Sequence, residues 1–337
     1  MIKNAILEVS EGRNMDRETA TEVIDEIMTG QDTDSQIAGL LTAMHMKGET
    51  IEEITAFAEG MRRHSQKVDG MGDVTDIVGT GGDCMNSFNI STASAFVAAA
   101  AGVKVAKHGN RASSSRCGTA DVLEELGVAI SLSPEGCARV MDKVGMCFMF
   151  AQRYHSAMRY VAAPRKELGI PTVFNILGPL SNPACAKHQL FGVYNKGLLR
   201  PMAEVLRNLG LTNAMVIRGR DGLDEISAVA STDVCELMDD GTIESYVMEP
   251  EDYGMDRCDP SELVGGDRTA NAKILKGVLS GESGGRRNAV LLNAGSAIHL
   301  AAGVPIADGV RRAQEVIDDG SAFTKMNEFI RATQVEE

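Results

Sequence analysis

Val74-Thr75-Asp76-Ile77-Val78-Gly79-Thr80-Gly81-Gly82-Asp83 is the stretch on which the fold turns. A short apolar run, read as a buried strand, passes without a break into three glycines, a threonine and an acid. Glycines after a strand let the backbone approach a ligand closely, and consecutive N–H groups in such a loop form an anion-binding nest. Asn89-Ile90-Ser91-Thr92 follows, where a helix opens. Ser and Thr at a helix start serve as N-caps, and a helix N-terminus beside a glycine-rich loop is also a ready phosphate site. No Gly-Lys-Ser/Thr occurs and the spacing is not Gly-x-Gly-x-x-Gly. Neither a Walker A loop nor a dinucleotide fingerprint is therefore present.

Outward from this stretch, short apolar runs alternate with helical periodicity. Strands are expected at 74–78, 103–106, 128–132, 147–150, 190–194 and 214–217, with helices at 92–101, 120–126, 134–144 and 198–209. Ser133-Pro134 supplies an N-cap and an N1 proline for the third of those helices. Such alternation implies a mostly parallel sheet covered on both faces. A hairpin over 235–247, turning at Asp239-Asp240-Gly241, makes the sheet mixed. Helices at 286–302 and 310–317 complete this part.

The first 65 residues read differently, as helices only. Ala20, Val23, Ile24, Ile27 and Met28 keep helical spacing up to a Gly30 stop. Thr33–Gln36 and Thr50–Glu53 have capping-box form, each leading into an apolar stripe. The fold class is therefore α/β: a small all-helical N-terminal domain over 1–68 and a large α/β domain over 69–337.

The chain has 337 residues, enough for about two domains. With 33 Lys and Arg against 47 Asp and Glu its net charge is −14, which disfavours nucleic acid and anionic membrane as partners. No apolar stretch reaches the length of a membrane span, and no signal peptide is evident. Seven cysteines without a CxxC pair argue for buried thiols in a reducing cytoplasm rather than disulfides or zinc. The charge is uneven: residues 84–203 carry +7 and the remainder −21. Between Asp83 and Asp121 lie 37 residues without an acid, where about five are expected. A small anion is the natural partner of that region.

Two further loops carry chemistry. Lys107-His108-Gly109-Asn110-Arg111-Ala112-Ser113-Ser114-Ser115 joins two cations, an imidazole, an amide and three hydroxyls after the second strand. Lys as a point charge and Arg as a fork suit several phosphate oxygens. Asp224-Glu225 lies in the loop after strand 214–217, at the edge where α/β sheets bind ligands. Paired carboxylates without His or Cys suit Mg²⁺.

Taken together, these motifs resemble the anthranilate phosphoribosyltransferase family. The resemblance rests on 79–83, 89–92, 107–115, Arg165-Lys166-Glu167-Leu168-Gly169-Ile170, Phe174-Asn175-Ile176-Leu177-Gly178-Pro179-Leu180 with Asn182-Pro183, and Asp224-Glu225, in family order over most of the chain. It implies transfer of the phosphoribosyl group of phosphoribosyl pyrophosphate (PRPP) to the amine of anthranilate, the second step of tryptophan synthesis from chorismate. Two Mg²⁺ per subunit, a homodimer through the helical domain and, in some members, an anthranilate synthase amidotransferase partner come with it. So does a helical segment near 165–183 that returns to the small domain. By resemblance, PRPP contacts fall on Gly79, Gly82, Asp83, Ser87, Asn89, Ile90, Ser91, Thr92, Lys107, His108, Gly109, Asn110, Arg111, Ala112, Ser113, Ser114, Ser115 and Thr119. Anthranilate contacts fall on Gly79, Asn110, Arg165, His108, His155 and Pro179, with Arg165 facing the carboxylate. Metal contacts fall on Ser91, Asp224 and Glu225. Lys107, Gly79 and Gly82 would stabilise charge on the leaving pyrophosphate, and no covalent nucleophile is expected. Cys84 stands where many members carry Gly, which bears on the flexibility of that loop. A pyrimidine nucleoside phosphorylase of the same fold, or a phosphoribosyltransferase for another aromatic acceptor, is the alternative. A nucleic-acid-binding relative is disfavoured by the net charge.

Overall fold

Helix starts and stops at the N-terminal end are written locally. The computed structural model describes residues 1–112 and 116–336, so Ser113, Ser114 and Ser115 lie outside the described residues. Helices α1 (Ile2–Ser10), α2 (Arg17–Thr29), α3 (Asp34–Lys47) and α4 (Ile51–Arg63) come first. Thr33 and Thr50 each accept the N3 backbone N–H while Gln36 and Glu53 reach back, so both capping boxes form as expected. Gly30 ends α2 in the left-handed region at φ 73°. The apolar stripes are buried: Val23, Ile24 and Ile27 on α2, Leu40 and Leu41 on α3, Phe57 and Ala58 on α4.

Beyond a linker the chain alternates. β1 (Thr75–Gly79), α5 (Ile90–Ala100), β2 (Val105–Gly109), α6 (Thr119–Glu125), α7 (Pro134–Val144) and β3 (Met146–Phe150) follow in order. Then come α8 (Ala151–Tyr154), α9 (Arg159–Leu168), α10 (Phe174–Leu180), β4 (His188–Gly192), α11 (Leu199–Asn208) and β5 (Asn213–Gly219). β6 (Thr232–Leu237), β7 (Ile243–Met248), α12 (Arg268–Leu279), α13 (Gly285–Ala302), α14 (Ile306–Asp318) and α15 (Ser321–Glu336) close the chain.

Among the described residues the seven strands form one sheet, in the order β3-β2-β1-β4-β5-β6-β7. β3 through β5 pair in parallel and β5-β6-β7 antiparallel, so the expected mixed sheet is present. Alternate residues of one strand enter opposite cores, as strand geometry requires. On β5, Met215 and Ile217 join the core built with α5, α7 and α12–α15, whereas Ala214 and Val216 join the core shared with α1–α4, α10 and α11. α9 packs on α2 and α3, and α10 on α4, so a later segment of chain completes the helical bundle. No single described helix is long and apolar enough to cross a membrane.

One expected strand is absent. Residues 128–132 bury Val128, Ile130 and Leu132 in strand-like alternation but pair with no strand. Their polar groups go elsewhere: Ala129 N–H donates to Thr333 Oγ1, and the Leu132 carbonyl accepts from the Tyr154 hydroxyl. β3 holds the adjacent sheet edge and the Ser133 cap starts α7 immediately afterwards. Neither α12, capped by Asp267, nor α15 was among the expected helices.

Candidate active site

The chain leaves β1 toward β2 on one side, while β4 lies on the other, so β1 marks a topological switch point. Four parallel-sheet strands, β1, β2, β4 and β5, end in glycine at this edge. At Gly79 and Gly192 the need is space. A Cβ on Gly79 would stand 2.4 Å from Asp224 Oδ2, and one on Gly192 would stand 1.6 Å from the Asp224 carbonyl oxygen. The missing side chains are what let the Asp224-Glu225 loop lie against the strand ends. Gly81 and Gly82 instead take positive φ, 68° and 80°. Cys84 and Asn86 also sit in the left-handed region, at 60° and 52°, so Cys84 occupies a backbone conformation suited to glycine.

The glycine loop is tied to the acids. Gly81 N–H donates to Asp224 Oδ2 at 2.7 Å, and the Asp224 N–H lies 3.5 Å from Asp83 Oδ2. Ser91 N–H, in the first turn of α5, donates to Glu225 Oε1 at 3.1 Å. The helix N-terminus is thus already turned on a carboxylate of the chain. Burial, with the nearby Asp83 charge, raises Asp224 to about 7, and burial, with Asp224, raises Glu225 to about 8. Two buried carboxylates that resist ionisation together offer the oxygen ligands a hard divalent cation prefers. Among the described residues no three acids, His or Cys are already gathered as a cage.

Asn89, not Ser91 or Thr92, is the N-cap of α5, and its side chain makes no cap bond. Its amide donates to the Cys117 carbonyl and accepts from the Asn271 amide at 2.9 Å. Lys107 is 1% exposed. Its Nζ donates to Ser91 Oγ at 3.2 Å and to the Ile77 carbonyl. Thr92 and Thr119 meet through their hydroxyls. Ser87 bridges to Val264, and Ile90 is buried.

The positive segment is only partly free. Arg111, expected as a phosphate fork, spends its guanidinium on Asp121 and Glu124 of α6. Asp121 also accepts from Ala112 N–H and Gly118 N–H, one on each side of the undescribed serines. Arg139 pairs with Glu336 and Lys196 with Asp233. Acids from outside the 84–203 segment thus neutralise part of the charge that the sequence displays.

Gly79, His108, Asn110, His155, Arg165 and Pro179 line one cavity of about 310 Å³ between α4, α8, α10 and the strand ends. Among the described residues Arg165 has no acidic partner, and its guanidinium stacks on Phe174 at 5.6 Å. The His108 and His155 rings lie 5.0 Å apart, and among the described residues His108 Nε2 and both His155 nitrogens are buried with no hydrogen bond of good geometry. Burial pushes His108 down to about 3 and His155 to about 4, so both are neutral at pH 7. The cavity therefore offers one cation inside neutral, partly aromatic walls. Met61, Gln152, Met158 and Phe174 line it too. Sequence reasoning missed these, as it missed the buried Asn293 of α13, which accepts from Ile226 N–H and donates to the Ile226 carbonyl beside Glu225.

Residues 71–323 match the model of a glycosyl transferase family, a/b domain, and residues 3–65 that of the family's helical bundle domain. The anthranilate phosphoribosyltransferase of Methanobrevibacter smithii is 51% identical over 334 residues, covering 99% of each chain. That of Endomicrobium trichonymphae is 50% identical at the same coverage. Among solved structures, the enzyme from Thermus thermophilus superposes with TM-score 0.92 at 40% identity, covering 98% of this chain and 99% of that one. The Saccharomyces cerevisiae enzyme in complex with PRPP and Mg gives TM-score 0.91 at 28% identity, covering 99% and 98%. None of these relatives is a phosphorylase.

Proposed function

The chain belongs to the anthranilate phosphoribosyltransferases of the glycosyl transferase family, and we propose how its cleft carries the phosphoribosyl group of PRPP to the amine of anthranilate. The observation that carries the assignment of the acceptor end is Arg165: an unpaired guanidinium in a neutral, aromatic-lined cavity that opens on Gly79. An aromatic ring bearing a carboxylate matches that cavity in charge and in shape.

PRPP would lie along the glycine loop, with the N–H groups at Gly82 and Asp83, the α5 turn at Asn89–Thr92 and the ammonium of Lys107 toward its phosphates. The acceptor amine forms the C1–N bond as the C1–O bond to pyrophosphate breaks. The amine proton passes to the acceptor's own carboxylate, since His108 and His155 are held neutral and poorly basic by burial. Mg²⁺ supplies charge neutralisation on the pyrophosphate when bound. Ser91 would hold one ion, and Asp224 with Glu225 a second.

A homodimer fits the bundle surface. Val9, Ala38, Gly39, Ala43 and Met46 line a groove of about 560 Å³ across α1 and α3, and Met46 is 82% exposed. A second copy covering that groove would bury the apolar area. The enzyme's place in this reading is the cytoplasm, where its seven cysteine thiols stay reduced.

Arg165→Ala tests the acceptor assignment. The anthranilate KM is expected to rise about 10–100-fold, in keeping with the loss of a charge-assisted hydrogen bond, with the PRPP KM within about 2-fold. Equal loss toward both substrates would remove Arg165 from the acceptor site.

A further inference from the structure

Lys107 is an ammonium almost without solvent, and its direct partners, the Ile77 carbonyl and the Ser91 hydroxyl, are both neutral. Where that side chain sits therefore depends on how β1, which carries Ile77, is held against β2, which carries Lys107 itself.

Asp76 is built for that task. It is fully buried, in the middle of a parallel sheet, where an acid has no reason of packing to be. Its Oδ2 accepts from Asn182 Nδ2 at 2.7 Å, and its Oδ1 accepts from His108 N–H at 3.3 Å. The same Asn182 amide donates to the carbonyl of Ala106 at 2.9 Å, and its Oδ1 accepts from Ala184 N–H. One buried side chain thus grips β1 at Asp76 and β2 immediately before Lys107. Burial raises Asp76 only to about 6, because Lys107, Asn182 and the His108 amide favour its ionised form.

We propose that Asp76, locked by Asn182, is a positioning residue for phosphoribosyl transfer: the pair ties β1 beside Ile77 to β2 on either side of Lys107, and so fixes the Lys107 side chain behind Ser91 at the phosphate end of the cleft. The inference rests on the reading of Lys107 as a phosphate-binding cation. Asp76 acts through Lys107 and touches no substrate, so its effect must vanish when Lys107 is gone.

A double-mutant cycle on the full-length enzyme tests this. Lys107→Met alone is expected to lower kcat/KM for PRPP by about 100–1000-fold. Asp76→Asn alone should lower it about 10–100-fold with the anthranilate KM within about 2-fold. In the Lys107→Met background, Asp76→Asn should change it less than about 2-fold. Asn182→Ser, which leaves the Asp76 side chain in place, gives the same pattern at about 3–10-fold and serves if Asp76→Asn does not fold. A harmless Lys107→Met would overturn the Lys107 reading itself. A damaging Lys107→Met together with Asp76→Asn and Asn182→Ser effects that persist undiminished without Lys107 would overturn the positioning role alone.

Discussion

Asp224 and Glu225 hold their protons in the folded chain to about pH 7 and 8, whereas in an unfolded chain they titrate near pH 4. The folded state thus binds more protons than the unfolded state between about pH 4 and 8, and its stability from this source is complete below about pH 4 and lost as pH rises through 7 and 8. In the proposed reading the two acids store destabilisation that a bound cation would relieve. Asp224→Asn/Glu225→Gln should therefore melt higher than the parent at pH 9 without Mg²⁺, by a few degrees at about 2–4 °C per kcal/mol, and no higher at pH 5, while Mg²⁺-dependent activity is lost. Thermal melts across that pH range decide it; a variant-minus-parent difference that does not change with pH would contradict the buried-acid assignment. The residue scale also shows where reading a side chain from sequence fails. Arg111 sits in a loop otherwise rich in groups that suit a phosphate, but Asp121 and Glu124 lie one helix turn apart on α6 and claim it. Spacing along α6 carries no sign that Arg111 folds back over it.

At the scale of elements, the motif that opens the sheet was legible because its physics is local. A buried strand running into glycines, and a capped helix after it, need only near neighbours in sequence. The same holds for the Thr33 and Thr50 capping boxes and the Ser133-Pro134 start of α7. Residues 128–132 show the converse. Their alternation of Val128, Ile130 and Leu132 is real and buried, but a strand also needs an open sheet edge, and that is not a local property. Met61 and Phe174 reach the cavity beside Arg165 only because α4 and α10, far apart in sequence, pack together. Gly192 belongs to the same class: it ends β4 as an ordinary glycine until the Asp224 carbonyl is placed against it. Gly192→Ala should push the 224–225 loop off the strand end, destabilise the enzyme by about 1–3 kcal/mol and raise the Mg²⁺ concentration needed for half-maximal rate. Denaturant melts and a Mg²⁺ titration measure both; an unchanged Mg²⁺ requirement would show that the loop does not depend on this contact.

For the whole molecule, the proposed acceptor cavity needs the helical bundle and the sheet to face each other, because it draws its walls from both. The two cores explain why they hold together: β4, β5 and β6 send alternate side chains into the bundle's core, so no separate interface has to be specified. The outer groove of the bundle, with Met46 at its rim, is the apolar surface left over. Met46→Lys is expected to convert a two-chain particle into a single chain of 35.9 kDa with the melting curve of each protomer little changed. Light scattering after size exclusion reads this directly, and a parent enzyme that is already a single chain would rule the dimer out.

Phosphoribosyl transfer to anthranilate is read out by the decay of anthranilate fluorescence when PRPP is added to the purified enzyme, followed with and without Mg²⁺ and alongside pyrophosphate release. The expected result is loss of anthranilate only with Mg²⁺, with one pyrophosphate for each acceptor consumed. Folded enzyme that binds PRPP and leaves anthranilate untouched would contradict the assigned reaction.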